Sequence, residues 1–477
     1  MSEPLWTIDA MASAMDATRA GRLPAAVGGL SIDTRTLKPG EAFFAIKGDA
    51  RDGHDFVPAA LKAGAGIAVV AADRAASFGD SPLLIVPDVL DGLRDLARAS
   101  RTRSQAKIIA VTGSVGKTST KEALRTALSR DGETHASVAS YNNHWGVPLS
   151  LARCPQSARY AVFEVGMNHA GEIEPLTRLL RPHVAIITTI EPVHLEYLGS
   201  IEAIADAKAE IFLGLEPGGA AVLNRDNPQF DRLARAASDA KVGRVVTFGE
   251  HAGADARLID CALQPDSSTV HARILGADVT FKLGAPGRHL VMNSLAVLAA
   301  AAVAGADLAL AALALAGMQP AVGRGTRITL EWPGGQALLI DESYNANPAS
   351  MRAALALLGQ AEVGPRGRRI AVLGDMLELG PQGAALHAAL AENVIEDDID
   401  LVYCCGPLMR ALWEALPSGR RGGYAEAAAA LEPQVLAALQ PGDTLMVKGS
   451  NGSRMGSIVK ALESRFHRTA ASAAAQG

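Results

Sequence analysis

The stretch KIIAVTGSVGKTSTK, residues 107 to 121, restricts the fold more than any other part of the chain. An apolar run of strand type stops at a loop with two glycines, and a Lys- and Thr-rich stretch of helical character follows. A strand, a glycine turn and a helix N-terminus in that order build an anion cradle. The first backbone N–H groups of a helix lack internal partners, and its macrodipole favours negative charge there. Gly113 and Gly116 let the backbone curl where a Cβ would crowd phosphate oxygens. Lys117 is placed to reach β- and γ-phosphates, and the Thr118 hydroxyl suits Mg²⁺. Ser114, Val115 and Ser119 complete the ATP-binding candidates of the loop. Val111 stands where the full G-x-x-x-x-G-K-[ST] pattern has its leading glycine. Taken alone, the loop fits a kinase, a nucleotide switch or a ligase.

With 477 residues, the chain is too long for one ordinary core, and about three domains are expected. A hydrophobic share of 49% with 20% charged residues is that of a soluble globular protein. The formal net charge of −5 argues against a nucleic-acid binder, which carries a basic stripe. Cys404 and Cys405 are adjacent and cannot bridge each other without strain, and no C-x-x-C occurs, so a reduced, cytoplasmic setting is expected. The N-terminus carries Glu3, Asp9 and Asp16 and lacks a basic segment before an apolar one, unlike a secretion signal. Residues 294–318 are apolar over about the length of a membrane span. The interruption AGAD and the dominance of Ala predict two short buried helices instead, with no membrane insertion.

Three regions differ in texture. Residues 1–103 mix short apolar runs with turns and close on a predicted helix, VLDGLRDLARASRTRS. Residues 104–325 alternate apolar strands with helical patterns, which reads as parallel βαβ units, with a small antiparallel addition near 255–285. Residues 326–477 alternate again, as a second open α/β sheet of Rossmann-like plan. The fold class is therefore α/β in three domains. The tail HRTAASAAAQG has little to bury and is expected to fray.

Within the second region, Glu164 ends the strand YAVFE, His194 follows TTIEPV, and Lys208 lies on the helix IEAIADAKAEIF. Singly, each has an ordinary reading: a solvated strand-end carboxylate, a structural histidine, a surface lysine. Following successive strands, they would gather at one sheet edge, where doubly wound folds meet ligands.

Together with the loop, these spacings resemble the ATP-dependent Mur ligase superfamily, which includes folylpolyglutamate synthetases. The family has the shortened T-G-x-x-G-K-[ST] loop, matched by TGSVGKT. By that resemblance Asn293 is the adenine-side asparagine, Arg324 a phosphate contact, Asp341 the ribose holder, and Tyr344 and Asn345 border the nucleotide. The segment DTRTLKPGEAFFAIKGDARDGHDFV resembles the family's uridine-binding domain, which makes Ser31, Asp33, Thr34 and Arg35 substrate candidates. Without the family, SIDTRT reads equally well as a locally capped turn. The Asp-Asn-Pro-Arg motif of one branch is missing from the C-terminal region, whereas YNNHWGVP, AVLGDMLELG and MVKGSNGSRM resemble another branch. That branch adds D-alanyl-D-alanine to UDP-N-acetylmuramoyl-tripeptide, and it brings in Asn142, Asn143, Lys448 and Ser450 as substrate candidates.

The chemistry so implied is amide formation through an acyl phosphate, with ATP and Mg²⁺. Lys117, Glu164, His194 and Lys208 would be catalytic. Thr118, Glu164, His194 and Lys208 would hold metal, the lysine after carbamylation by CO₂, since an ammonium beside metal ions would be repelled. A hinge near residue 325 and a monomeric state are expected. Another ligase of the superfamily is the nearest alternative, and a P-loop kinase or switch a more distant one.

Overall fold

The computed structural model describes residues 4–466 apart from 50, 139, 321 and 333, so the tail expected to fray lies outside the described residues. Three main sheets follow one another along the chain. In the first, the strands run in the order Thr18–Ala20, Leu83–Val86, Ile67–Ala71, Ala42–Phe44 and Leu30–Ser31. Only Thr18–Ala20 pairs antiparallel. The predicted helix forms over Val89–Arg103, with Asp88 accepting from Asp91 N as its N-cap, and leads directly into the second sheet.

That second sheet has nine strands. Lys107–Thr112 lies inside it, between Tyr160–Glu164 on one side and Val184–Ile187 on the other, with both pairings parallel. From Tyr160–Glu164 the chain crosses to the opposite flank, so the loop after Thr112 opens at a topological switch point. The expected antiparallel addition is the meander Ala256–Leu263, Ser268–Ile274 and Ala277–Leu283. The Ala-rich stretch forms helices Arg288–Val303 and Leu308–Ala314, the first buried from Leu295 to Ala301. No helix among the described residues is long and apolar enough to cross a membrane.

The third sheet has six strands: Thr326–Trp332, Gly335–Glu342, Thr444–Lys448, Arg369–Gly374, Leu401–Cys405 and Arg421–Ala425. It is parallel beyond the opening hairpin. All four cysteines are free thiols.

The cores do not follow the three sheets one to one. A single apolar cluster joins Trp6, Met11, Phe44 and Leu93 of the first region to Ile108, Leu149, Phe163 and Leu223 of the second. Polar bonds fasten the same seam. Trp6 Nε1 donates to Ala152 O at 2.8 Å, Ser100 Oγ to Leu151 O at 2.7 Å, and the buried Arg101 to Leu180 O at 2.7 Å. The C-terminal region has its own clusters on the two faces of its sheet.

Candidate active site

The phosphate loop is built as its sequence dictates. Gly116 is the N-cap of the Lys117–Leu128 helix at φ +85°, a left-handed turn that glycine enters without strain. A Cβ there would stand 2.7 Å from Asn293 Nδ2, so Asn293 packs directly on the loop. Ser114 ties the loop to the neighbouring strand end: its N–H donates to Thr189 O at 2.9 Å and its hydroxyl accepts from Glu191 N at 2.9 Å. Lys117 folds back on the loop, donating to Gly113 O at 2.7 Å. Burial lowers its pKa, Glu164 opposes that shift and Arg324 adds to it.

A cleft of about 440 Å³ runs between the second and third sheets. The loop and Asn293 line one wall; Gly323, Arg324, Glu342, Asn345, Arg352 and Lys448 line the other. Lys448, 2% exposed, donates to Glu342 Oε2 at 3.1 Å and Asn345 O at 3.0 Å, which fixes the last turn before the cleft. Two other expected nucleotide contacts lie outside this lining. Asp341 accepts from the Ser343 N–H and hydroxyl at 3.0 and 2.6 Å, and the Tyr344 ring stacks under Arg324, 4.4 Å from the guanidinium carbon.

A second cavity of about 910 Å³ is lined by Asn142, Asn143, Gly166, Asn168 and Glu172, and by Asp91, Arg94 and Arg98 from the first region. Glu164 stands between the two cavities. Its side chain is 1% exposed; Oε2 accepts from Thr118 Oγ1 at 2.8 Å on the nucleotide side, and Oε1 from Asn142 Nδ2 at 2.8 Å on the other. Thr118 and Glu164 are a hard-oxygen pair at the foot of the phosphate loop. Magnesium is usually held by one or two carboxylates plus substrate phosphates, so the donor set fits.

Lys208 lies on the Ile201–Ala209 helix at 1% exposure. Among the described residues its ammonium has no hydrogen-bond or ion-pair partner. Burial, reinforced by Lys117, pushes its pKa well down, toward a neutral amine. His194 begins the Leu195–Leu198 helix in left-handed backbone and gives its Nδ1 to Glu378 Oε2 at 2.6 Å. Glu378 lies in the C-terminal region, and that bond holds its carboxyl below the usual range.

The uridine-side candidates bond mainly to one another. Asp33 holds the Arg35 guanidinium at 2.6 Å and accepts from Arg35 N at 2.9 Å, with Ser31 Oγ accepting from Asp33 N at 3.2 Å; Thr34 sits inside this turn. Asn143 caps Gly146 N at 2.9 Å, and Ser450 Oγ accepts from Leu377 N at 3.1 Å, outside the cleft lining. Sequence reasoning passed over Glu191, His289, Glu342, Arg352 and Glu378. Glu191 inside TTIEPV, Glu342 beside the quoted Asp341 and Glu378 inside GDMLELG sat in segments already singled out, but none carried a role there.

Three family models match in order along the chain: "Mur ligase family, catalytic domain" over residues 26–101, "Mur ligase middle domain" over 111–301, and "Mur ligase, glutamate ligase domain" over 323–451. Among curated relatives, the UDP-N-acetylmuramoyl-tripeptide–D-alanyl-D-alanine ligase of Escherichia coli is 36% identical over 435 residues, 91% of this chain and 93% of the relative. That of Rickettsia prowazekii is 31% identical, over 90% and 94%. Among solved structures, MurF from Acinetobacter baumannii superposes with a TM-score of 0.81 at 30% identity, over 97% and 99% of the chains. MurF ligase from Thermotoga maritima in complex with ADP gives 0.73 at 25%, over 92% and 98%.

Proposed function

The chain belongs to the Mur ligase family, and we propose that it joins the carboxyl end of UDP-N-acetylmuramoyl-tripeptide to the amino group of D-alanyl-D-alanine, converting ATP to ADP and phosphate. The reaction serves peptidoglycan precursor synthesis in the cytoplasm. The observation that carries this reading is the buried Glu164 carboxylate between a phosphate-loop cleft and a second cavity, in a chain similar over about nine-tenths of its length to relatives of that name.

A carboxylate is a poor electrophile: its charge repels an amine, and oxide does not leave. A carboxylate oxygen therefore attacks the γ-phosphorus, the bond to ADP breaks, and an acyl phosphate results. The dipeptide nitrogen then attacks the acyl carbon, phosphate departs, and the nitrogen loses a proton as the amide forms. Both steps move negative charge, so positioning and electrostatics dominate. Lys117 swings from the loop carbonyls onto the β- and γ-phosphates, with the Lys117–Leu128 helix N-terminus behind them. Arg324 and Lys448 supply positive charge from the C-terminal wall, and Asn293 borders the base. Thr118 and Glu164 would hold Mg²⁺, with His194 and Lys208 toward a second ion, and such ions would supply screening of the repulsion between triphosphate and carboxylate.

Lys208 takes part as a carbamate. Its neutral amine adds to CO₂, forming an N–C bond as one C–O π bond opens and releasing one proton, so that an anionic carboxylate-type group stands where the bare amine was. Its burial without an acidic partner supports this reading. Asn142 and Asn143 line the acceptor cavity, and Ser31, Asp33, Thr34 and Arg35 take the uridine diphosphate end once Arg35 exchanges Asp33 for a phosphate.

The test is phosphate release from ATP with each acceptor alone and with both. Release that needs both substrates, together with a peptide lengthened by two residues, is expected. Steady ATP consumption without the longer peptide would refute the reading and return the chain to the kinase and switch classes.

A further inference from the structure

His194 and Glu378 meet across the boundary between the nucleotide-binding region and the C-terminal region, Nδ1 to Oε2 at 2.6 Å. Both occupy left-handed backbone, at φ +56° and +63°. Histidine enters that region more readily than most residues, whereas glutamate seldom does. Residues held in such conformations persist where the surroundings over-determine them, and they concentrate at working sites. Here the surroundings do so. Tyr197 N and Leu198 N both donate to His194 O at 3.1 Å, and Glu196 N donates to Glu378 O at 3.4 Å. Gly380 lies against the same turn, where a Cβ on it would make ordinary van der Waals contact with Glu196 Cα at 3.6 Å. The contact is a fitted joint between two loops, and it is more than a chance meeting of long side chains.

We propose that Glu378 is a positioning residue: its carboxylate accepts the His194 Nδ1–H, fixes the tautomer that leaves Nε2 with a free lone pair, and so readies the imidazole for a metal ion only when the C-terminal region is docked. Histidines that bind metal through one nitrogen commonly donate the other N–H to a carboxylate, which sets ring orientation and raises ligand basicity. In this chain the orienting carboxylate comes from a different region than the imidazole, so metal binding and domain docking become one event. The proposal rests on His194 serving as a metal-side residue, as read above. A plain ion pair at this exposure, 23% for the His194 side chain and 40% for Glu378, would contribute little to either property.

The test uses the full chain with ADP and inorganic phosphate, and Mn²⁺ as the probe, with free Mn²⁺ followed by electron paramagnetic resonance. Glu378→Ala is expected to weaken one class of bound Mn²⁺ by about 10- to 100-fold, the range seen for such outer carboxylates. Glu378→Gln should fall between it and the parent. A His194→Ala, Glu378→Ala double variant should bind Mn²⁺ no more weakly than His194→Ala alone, because the carboxylate acts through the imidazole. Unchanged Mn²⁺ binding in Glu378→Ala, or losses that multiply in the double variant, would overturn the inference while leaving His194 in place. Unchanged binding in His194→Ala would remove the premise, and the inference with it.

Discussion

Lys208→Met takes away a fully buried amine and leaves a side chain of similar reach and flexibility. In the unfolded chain a lysine titrates near 10.4 and is charged at neutral pH. In the folded chain burial, with Lys117 adding to it, holds the group well below that value. The unfolded state then binds more protons at this position than the folded state, so stability rises with pH through the interval between the depressed folded value and the unfolded one. The slope is about 1.4 kcal/mol per pH unit for one such group, or up to about 3 kcal/mol from pH 7 to pH 9. Methionine has no proton to exchange, so the variant lacks this slope. Urea unfolding in buffers stripped of CO₂ is therefore expected to find Lys208→Met more stable than the parent at pH 7. The difference should close as the pH approaches 10. Adding bicarbonate should stabilise the parent and leave the variant unmoved, and ligase turnover should vanish in the variant at every pH. If Lys208→Met is no more stable at pH 7, or the gap is the same at pH 7 and pH 9, the amine is not held neutral by the fold and the reasoning fails.

Two further substitutions bear on the wall and the loop. Asn142→Ala removes one of two side-chain bonds to Glu164, a bond of the class that contributes about 1.5–3 kcal/mol, so kcat at saturating substrates should fall about tenfold to a hundredfold. An unchanged kcat would show that Glu164 keeps its place without Asn142. Gly116→Ala places a Cβ 2.7 Å from Asn293 Nδ2 in backbone that costs about 1–2 kcal/mol for a non-glycine residue; the KM for ATP should rise at least about tenfold with circular dichroism unchanged.

What could be read from the sequence was local. The strand, the loop and the helix after Thr112 are neighbours along the chain, and each residue's role follows from helix-end physics. The Ala-rich helices split at AGAD, and the antiparallel meander after Gly249, also follow from patterns a few residues long. Glu164 could be placed at a strand end, but not at the wall between two cavities, because Thr118 and Asn142 reach it from 46 and 22 residues away. Glu378 was out of reach for a stronger reason. Its partner lies 184 residues earlier, and the bond exists only because two separately folded sheets come to rest against each other. Nor did any periodicity announce that Trp6 and Phe163 share one interior, since apolar alternation shows that a face is covered and not by what.

That shared interior leaves the molecule with a single place to flex. With the uridine end held as proposed above, that end and the phosphate loop stand on one shared core, which sets the distance between the acceptor's anchor and the nucleotide at folding. On the proposed hinge near residue 325, approach and retreat fall to the last third of the chain, which carries Lys448 and Glu378. A catalyst jointed this way measures its longer substrate with a fixed ruler and times its chemistry with a moving jaw.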